Sequence, residues 1–281
     1  MPSIVVIGSV NLDIVAAADR LPAPGETVTG AELNHYPGGK GANQALAAKR
    51  LGADVSLVAR VGNDSAADEA LAMLRDGGVD LTGCEVVDDV LTGVALICVS
   101  RSGENQIVVA PGANRALSAE SLHIPSADAL LCQLEVPTAT IAHAAANFEG
   151  FFCTNLAPAR HVDVTVLQRA DLVVVNESEA AWYGDSLAAC TGMIATTFGA
   201  EGAELSIAGE VIANAMPPKV TAVDTTAAGD TFTAALTVAL VEGQAPEDAL
   251  RFACAAGAAA TLKQGAQPSL PTRDEVHLLL N

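Results

Sequence analysis

Aromatic side chains are scarce in this chain: one Trp, two Tyr and six Phe among 281 residues, or 3%. A core must therefore be filled by Ala, Val, Leu and Ile. Cations are also few. Lys and Arg number 14 against 33 Asp and Glu, a formal net charge of −19. Non-specific nucleic-acid binding needs a basic surface, so this balance argues against it. It argues equally against docking on anionic lipid. An anionic ligand would need a local site of backbone N–H groups or a few cations. No apolar run approaches the roughly 18 residues of a membrane span. The start, MPSIVVIGSVNLD, lacks the basic region of a secretory signal, and a cytoplasmic protein is the expectation. The six cysteines (Cys84, Cys98, Cys132, Cys153, Cys190 and Cys254) show neither a CxxC pair nor zinc spacing. They read as small buried hydrophobes rather than a disulfide framework. The five histidines lack metal-ligand spacing and read as structural or solvated.

What is present is a packed globular composition, 51% hydrophobic and 17% charged, which excludes general disorder. Short Val- and Ile-rich runs predict strands at 3–8, 54–61, 130–133, 151–154, 172–175 and 193–197. Helical patterns alternate with them, near 41–51, 66–75, 137–147, 177–183, 229–242 and 246–262. This alternation predicts an α/β fold with a mostly parallel sheet. Residues 13–36 hold many turn formers and read as an excursion from that sheet, with strand character in GETVTGAEL. Residues 92–110 read as a hairpin turning at Arg101–Glu104.

Ligands of open α/β sheets bind beyond the carboxyl ends of the strands, and four strand-following loops hold unusual residues. In the first, GSVNLD, Asn11 and Asp13 are two residues apart; in an extended segment both face one side and can bind a polyol. The plainer alternative is turn residues bonded to local backbone. GxGxxG is absent there. The second, GGKGAN at 38–43, lets backbone approach a ligand at a helix start but is not a P-loop. The third, DTTAAGD at 224–230, precedes an apolar helix whose first N–H groups can cradle an anion. Asp230 is there either a cap or a general base. In the fourth, NESE at 176–179, Asn176 and Ser178 are candidate caps, and Glu179 is alternatively a holder of hydrated Mg²⁺.

Taken together, GSVNLD, PGETVTG, GGKGANQALAA, GENQIVVAPGAN, QLEVP, NLAPAR, NESEA, TTFGAEG, DTTAAGDTF and GAQPSLP run in order along nearly the whole chain. In these stretches the sequence resembles the ribokinase family of sugar kinases, also called the phosphofructokinase-B family. The resemblance implies a doubly wound, mostly parallel sheet flanked by helices. It further implies a small β-sheet lid, drawn from about 13–36 and 92–110, and a homodimer through the lids. The implied reaction is ATP-dependent phosphorylation of D-ribose. Another sugar, a sugar acid or a nucleoside is the alternative acceptor, and a non-catalytic sensor is a remoter one.

By the same resemblance Asp230 is the catalytic base, and the N–H groups of Ala227, Ala228 and Gly229 form an anion hole. Sugar contacts fall to Asn11, Asp13, Gly39, Lys40, Asn43 and Glu135. ATP contacts fall to Asn176, Thr197, Gly199, Gly202 and Gly229, with the segment near Cys254 flanking the adenine. Glu179 is tied to Mg²⁺. A monovalent cation, usually K⁺, would be held at Asp224, Thr226, Ala260, Lys263, Gly265 and Ser269. The stretches 147–155 and 176–197 are short for the family, and Ala227 stands where many members carry Gly.

Overall fold

The computed structural model describes residues 1–280. In chain order the elements are β1 (Ser3–Ile7), β2 (Asn11–Ala18), β3 (Glu32–Gly38), α1 (Lys40–Arg50), β4 (Asp54–Gly62), α2 (Ser65–Asp76), β5 (Cys84–Val87), β6 (Gly93–Ser100) and β7 (Asn105–Ala110). Then follow β8 (Ala129–Gln133), α3 (Thr138–Asn147), β9 (Phe151–Asn155), α4 (Val164–Arg169), β10 (Leu172–Asn176), α5 (Glu177–Tyr183), β11 (Met193–Thr197), β12 (Ala203–Ile207) and β13 (Glu210–Ala215). The chain closes with α6 (Ala228–Val241), α7 (Pro246–Ala260), α8 (Ala266–Ser269) and α9 (Arg273–Leu280).

Nine strands form one sheet in the order β13-β12-β11-β10-β9-β8-β1-β4-β5. All pairings from β5 through β11 are parallel. Central strands such as β8 and β10 are almost wholly apolar because both faces are covered by helices. On one face lie the Ala-rich helices α1, α6 and α7; Ala42, Ala45, Ala235, Ala239, Ala253 and Ala256 are among its buried residues. Such small side chains let helix backbones lie close to the sheet, so a core with few aromatics still packs without voids. The other face, under α3 and α4, uses larger groups, among them Phe152, Leu130, Leu134 and Ile141.

The predicted strands and helices stand within a few residues of their expected bounds. The hairpin β12–β13 was not predicted. AELSI and EVIANA are short and mixed in polarity, and the two strands pair antiparallel at the sheet edge. Their link, Ala208-Gly209, has both residues at positive φ, 51° and 83°, the backbone of a tight primed turn. Helices α4 and α9 were likewise too short to carry a clear period. One expectation is overturned: residues 25–31 of GETVTGAEL form no strand, and β3 starts only at Glu32. Pro22 and Pro24 resist ladder pairing, and Gly25 and Gly30 hold positive φ of 80° and 85°. Between β10 and β11 the chain makes only α5 and a 3₁₀ stretch, Gly184–Ala189.

A second sheet of four strands has the order β3-β2-β6-β7. It is mixed: β2 runs antiparallel to β3 but parallel to β6. The register puts Asn11, Asp13, Tyr36, Ala95 and Val109 on one face and Ile14, Leu33, Leu96 and Val108 on the other. No described helix is long and apolar enough to cross a membrane.

Candidate active site

Asp230 stands in the first turn of α6 and is only 4% exposed. It does not cap that helix. Ala227 is the N-cap residue, with φ −101°, and no side chain caps the turn. Asp230 turns instead toward α1. Its Oδ2 accepts from Asn43 Nδ2 and its Oδ1 from Gln44 Nε2, each at 2.9 Å. Burial raises its pKa; Lys40 and the two amide donors oppose the rise. The result is a fixed, desolvated carboxylate whose remaining lone pairs can take a proton. Gly229 beside it has open space where a Cβ would stand. Among the predicted anion-hole amides, Ala228 N–H donates to Thr225 O at 3.2 Å.

Glycine brings α1 to this place. Gly39, with φ +90°, is its N-cap; a Cβ there would lie 2.7 Å from Asn11 N. A Cβ on Gly41 would lie 2.5 Å from Ser9 N. Any larger residue would push the first turn of α1 off the β1–β2 connection. The turn is locked from the other side by Glu135, whose Oε2 accepts from Ser9 Oγ at 2.5 Å and from Lys40 N at 3.0 Å.

Asn11 and Asp13 open strand β2 and, two residues apart, share its inner face. Asn11 Oδ1 accepts from Asn114 Nδ2 at 2.8 Å. Asp13 is 8% exposed, and its pKa rises to about 7, through burial first and then the charges of Glu135 and Asp230. Lys40 answers these carboxylates. Asp230 foremost, then Glu135, Glu179 and Asp13, raise its pKa against the cost of burial. Asn43 keeps a buried Oδ1 with no protein partner. Acceptors, one cation and one unmet amide oxygen thus converge at one spot, a donor and acceptor set suited to several hydroxyls.

The strand-end loops beyond this spot hold the remaining predicted residues. Asn176 and Glu179 form a reciprocal capping box at the start of α5. Asn176 Oδ1 accepts from Glu179 N, and Glu179 Oε2 accepts from Asn176 N, both at 2.8 Å. Glu179 nonetheless feels Lys40 and Asp230, and burial raises its pKa. Thr197 ends β11, and its Oγ1 lies 3.5 Å from Val175 O. Gly199 and Gly202 shape the following turn at φ 58° and 100°. Cys254 is buried, its Sγ directed at Ala215 O, so its side chain is part of the α7–β13 packing.

Asp224 ties two loops together. Its Oδ1 accepts from Thr226 N at 2.9 Å and from the Thr226 hydroxyl, and its Oδ2 accepts from Gly265 N at 2.9 Å. Ala260 ends α7, where helix carbonyls lack intrahelical donors. Lys263 Nζ pairs with Glu275, and Ser269 Oγ donates to Ala266 O at 2.8 Å. The side chain of Lys263 is thus engaged on the protein surface. Among the described residues no cluster of three or more His, Cys, Asp or Glu could hold a metal by itself.

Sequence reasoning overlooked the layer beneath Asp230. Gln44 also donates to Asn155 Oδ1 at 3.1 Å and accepts from Gln133 Nε2 at 2.6 Å. All three are buried. These bonds meet most of the need of three buried amides, and Gln133 Oε1 is left with no protein partner. The available signal was that each lies inside or beside a stretch already singled out: GGKGANQ, QLEVP and NLAPAR.

The model of the pfkB family of carbohydrate kinases matches residues 1–273. A ribokinase of Bacillus subtilis is 38% identical, with all of both chains covered. One of Haemophilus influenzae is 37% identical over 97% of this chain and 96% of its own. Among solved structures, a ribokinase of Thermotoga maritima superposes with a TM-score of 0.92 at 35% identity, covering 100% of this chain and 99% of its own. Arabidopsis thaliana ribokinase, solved with ribose and ATP, gives 0.88 at 31%, with the same coverages. A fold, a buried carboxylate at the start of a helix and full-length similarity converge: this chain belongs to the pfkB family of carbohydrate kinases.

Proposed function

We propose that the chain is a ribokinase, moving the γ-phosphoryl group of ATP to O5 of D-ribose. The observation that carries this reading is Asp230: buried, held at both oxygens by α1 amides, and lying in the uncapped first turn of α6. In this reading Asp230 accepts the proton of the 5-hydroxyl as that oxygen attacks phosphorus. Asn11, Asp13, Lys40, Asn43 and Glu135 hold the other hydroxyls and fix the attack geometry. The N–H groups of Ala227 and Gly229, and that of Ala228 on releasing Thr225 O, would meet charge growing on the transferred group, aided by the helix dipole. The small sheet acts as a lid that excludes water. Asn176, Thr197, Gly199, Gly202 and the wall containing Cys254 form the nucleotide side.

Glu179 is the carboxylate suited to a Mg²⁺ that arrives with the nucleotide phosphates and keeps most of its waters. Bound there, Mg²⁺ would neutralise phosphate charge. Asp224 with the carbonyls of Thr226, Ala260, Lys263 and Gly265 and the Ser269 hydroxyl is a hard-oxygen set that fits a monovalent cation such as K⁺. That ion would add positive field beside the start of α6. The exposed apolar face of the small sheet, with Leu33, Leu96 and Val108 each more than half exposed, is where a second copy would dock to form a homodimer. Cytoplasmic residence fits such a sugar kinase.

The test is ADP release from ATP and Mg²⁺ with D-ribose, 2-deoxyribose, fructose or adenosine, each with and without K⁺, and phosphorus NMR of the product. Ribose-dependent turnover giving a 5-phosphate and rising with K⁺ is expected. Preference for another acceptor would reassign the substrate, and silence with every acceptor would overturn the kinase reading.

A further inference from the structure

Tyr36 joins the sugar-binding sheet to the connection between α7 and α8, which is hydrogen-bonded to the loop that precedes α6. It lies on β3 directly across from Asp13 of β2, and cross-strand partners share one face. The Tyr36 ring also packs against the backbone of Gly265. A Cβ built on Gly265 would lie 2.6 Å from Tyr36 Cδ1 and 2.9 Å from Cε1. Gly265 has φ +85°, so both its conformation and the ring exclude a side chain there. Helix α8, which Gly265 caps, packs against β3. From Gly265 the connection runs through its N–H to Asp224, and from Asp224 to the N–H and hydroxyl of Thr226, next to the N-cap of α6.

This contact is a bridge between two parts of the protein with different duties. Asp13 belongs to the small sheet, and Gly265 and Asp224 belong to the loops of the large domain. Tyr36 is a side chain that reaches from the one to the other. Only two tyrosines occur in the chain, and this one stands where a flat, rigid ring reports the position of β3 to a glycine. A rigid side chain pressed on a fixed backbone transmits displacement better than a flexible aliphatic one.

We infer that Tyr36 is a positioning residue that couples occupancy of the sugar site to the loop shaping the phosphoryl-transfer end of α6, so that ribose and nucleotide bind cooperatively. This rests on the ribokinase reading and adds to it a residue through which the two sites communicate. Coupling of this kind is a ratio of affinities and is reciprocal.

The experiment measures the ADP–Mg²⁺ dissociation constant by calorimetry, with and without saturating D-ribose, for wild type, Tyr36→Phe and Tyr36→Ala. Wild type and Tyr36→Phe, which keeps the ring, are expected to bind ADP at least about fivefold more tightly with ribose present. Tyr36→Ala is expected to fall below about twofold while still binding each ligand alone. Full coupling in Tyr36→Ala, or its loss in Tyr36→Phe, overturns the inference and leaves the kinase reading intact. Where Tyr36→Ala fails to fold, Tyr36→Leu keeps apolar bulk without the flat ring; its coupling is also expected below about twofold, and wild-type coupling in it overturns the inference. Wild type that binds no ribose overturns the kinase reading itself, and this inference with it.

Discussion

Asp13→Asn should make the free protein more stable and the sugar site worse, and the first effect should depend on pH. Asp13 has an ordinary pKa of 3.8 when unfolded and about 7 in the fold. The folded state therefore holds its proton more tightly than the unfolded chain does. The sign follows: between these values the native state carries the extra proton, so stability falls as pH rises. The cost is relieved below the unfolded value and complete above the folded one. At about 1.4 kcal/mol per unit, raising pH from about 5 to about 8 should cost wild type about 2–3 kcal/mol through this group alone. Asn does not titrate and is spared. Urea unfolding of both proteins at the two pH values, without sugar, isolates the effect, because the repulsion from a net charge of −19 is nearly common to both. The variant's advantage should grow by about 2–3 kcal/mol from the lower pH to the higher. Parallel pH profiles would refute the assignment of Asp13 as a strained, desolvated carboxylate. In wild type, ribose affinity should rise as pH climbs through about 7, where Asp13 becomes an acceptor for sugar hydroxyls.

Gln44→Ala removes one of the two amides on Asp230 and strands its partners Gln133 and Asn155. It should lower kcat by about tenfold or more with a small change in ribose KM, and cost about 1–3 kcal/mol in urea unfolding; unchanged kcat would show that Asp230 needs no such support. Leu96→Asp places a charge on the exposed face of the small sheet, opposite Val108 and Ile14. Wild type should sediment as a dimer and the variant as a monomer; a monomeric wild type would remove the proposed interface.

The periodic parts of the fold were legible because burial imposes a pattern. Strands β1, β8 and β10 are apolar at all but one position, since helices cover both faces of the sheet. β12 and β13 were not legible: an edge hairpin needs only one apolar face and a two-residue turn. Positions 25–31 misled, because Val and Thr favour strands wherever a ladder exists, and here two glycines at positive φ prevent one. In the site, the charged and glycine residues stood out, but Asp230 read equally well as a cap. Only the tertiary contact with Asn43 and Gln44 shows that its side chain turns away from the helix end instead of capping it. Glu179 shows the converse. The cap at Asn176 was readable from NESE, whereas the reciprocal bond from Glu179 and its share in the field around Lys40 require the fold.

The central claim is that Asp230 is the base of a sugar kinase, and Asp230→Asn tests it most directly. Asn keeps the shape and can be held by a rearranged amide pairing, but it cannot accept the proton. Ribose-dependent ADP release should fall by at least about a hundredfold in kcat, while ribose affinity by calorimetry stays within a few-fold of wild type. Turnover near the wild-type rate in a folded, ribose-binding Asp230→Asn would contradict the account.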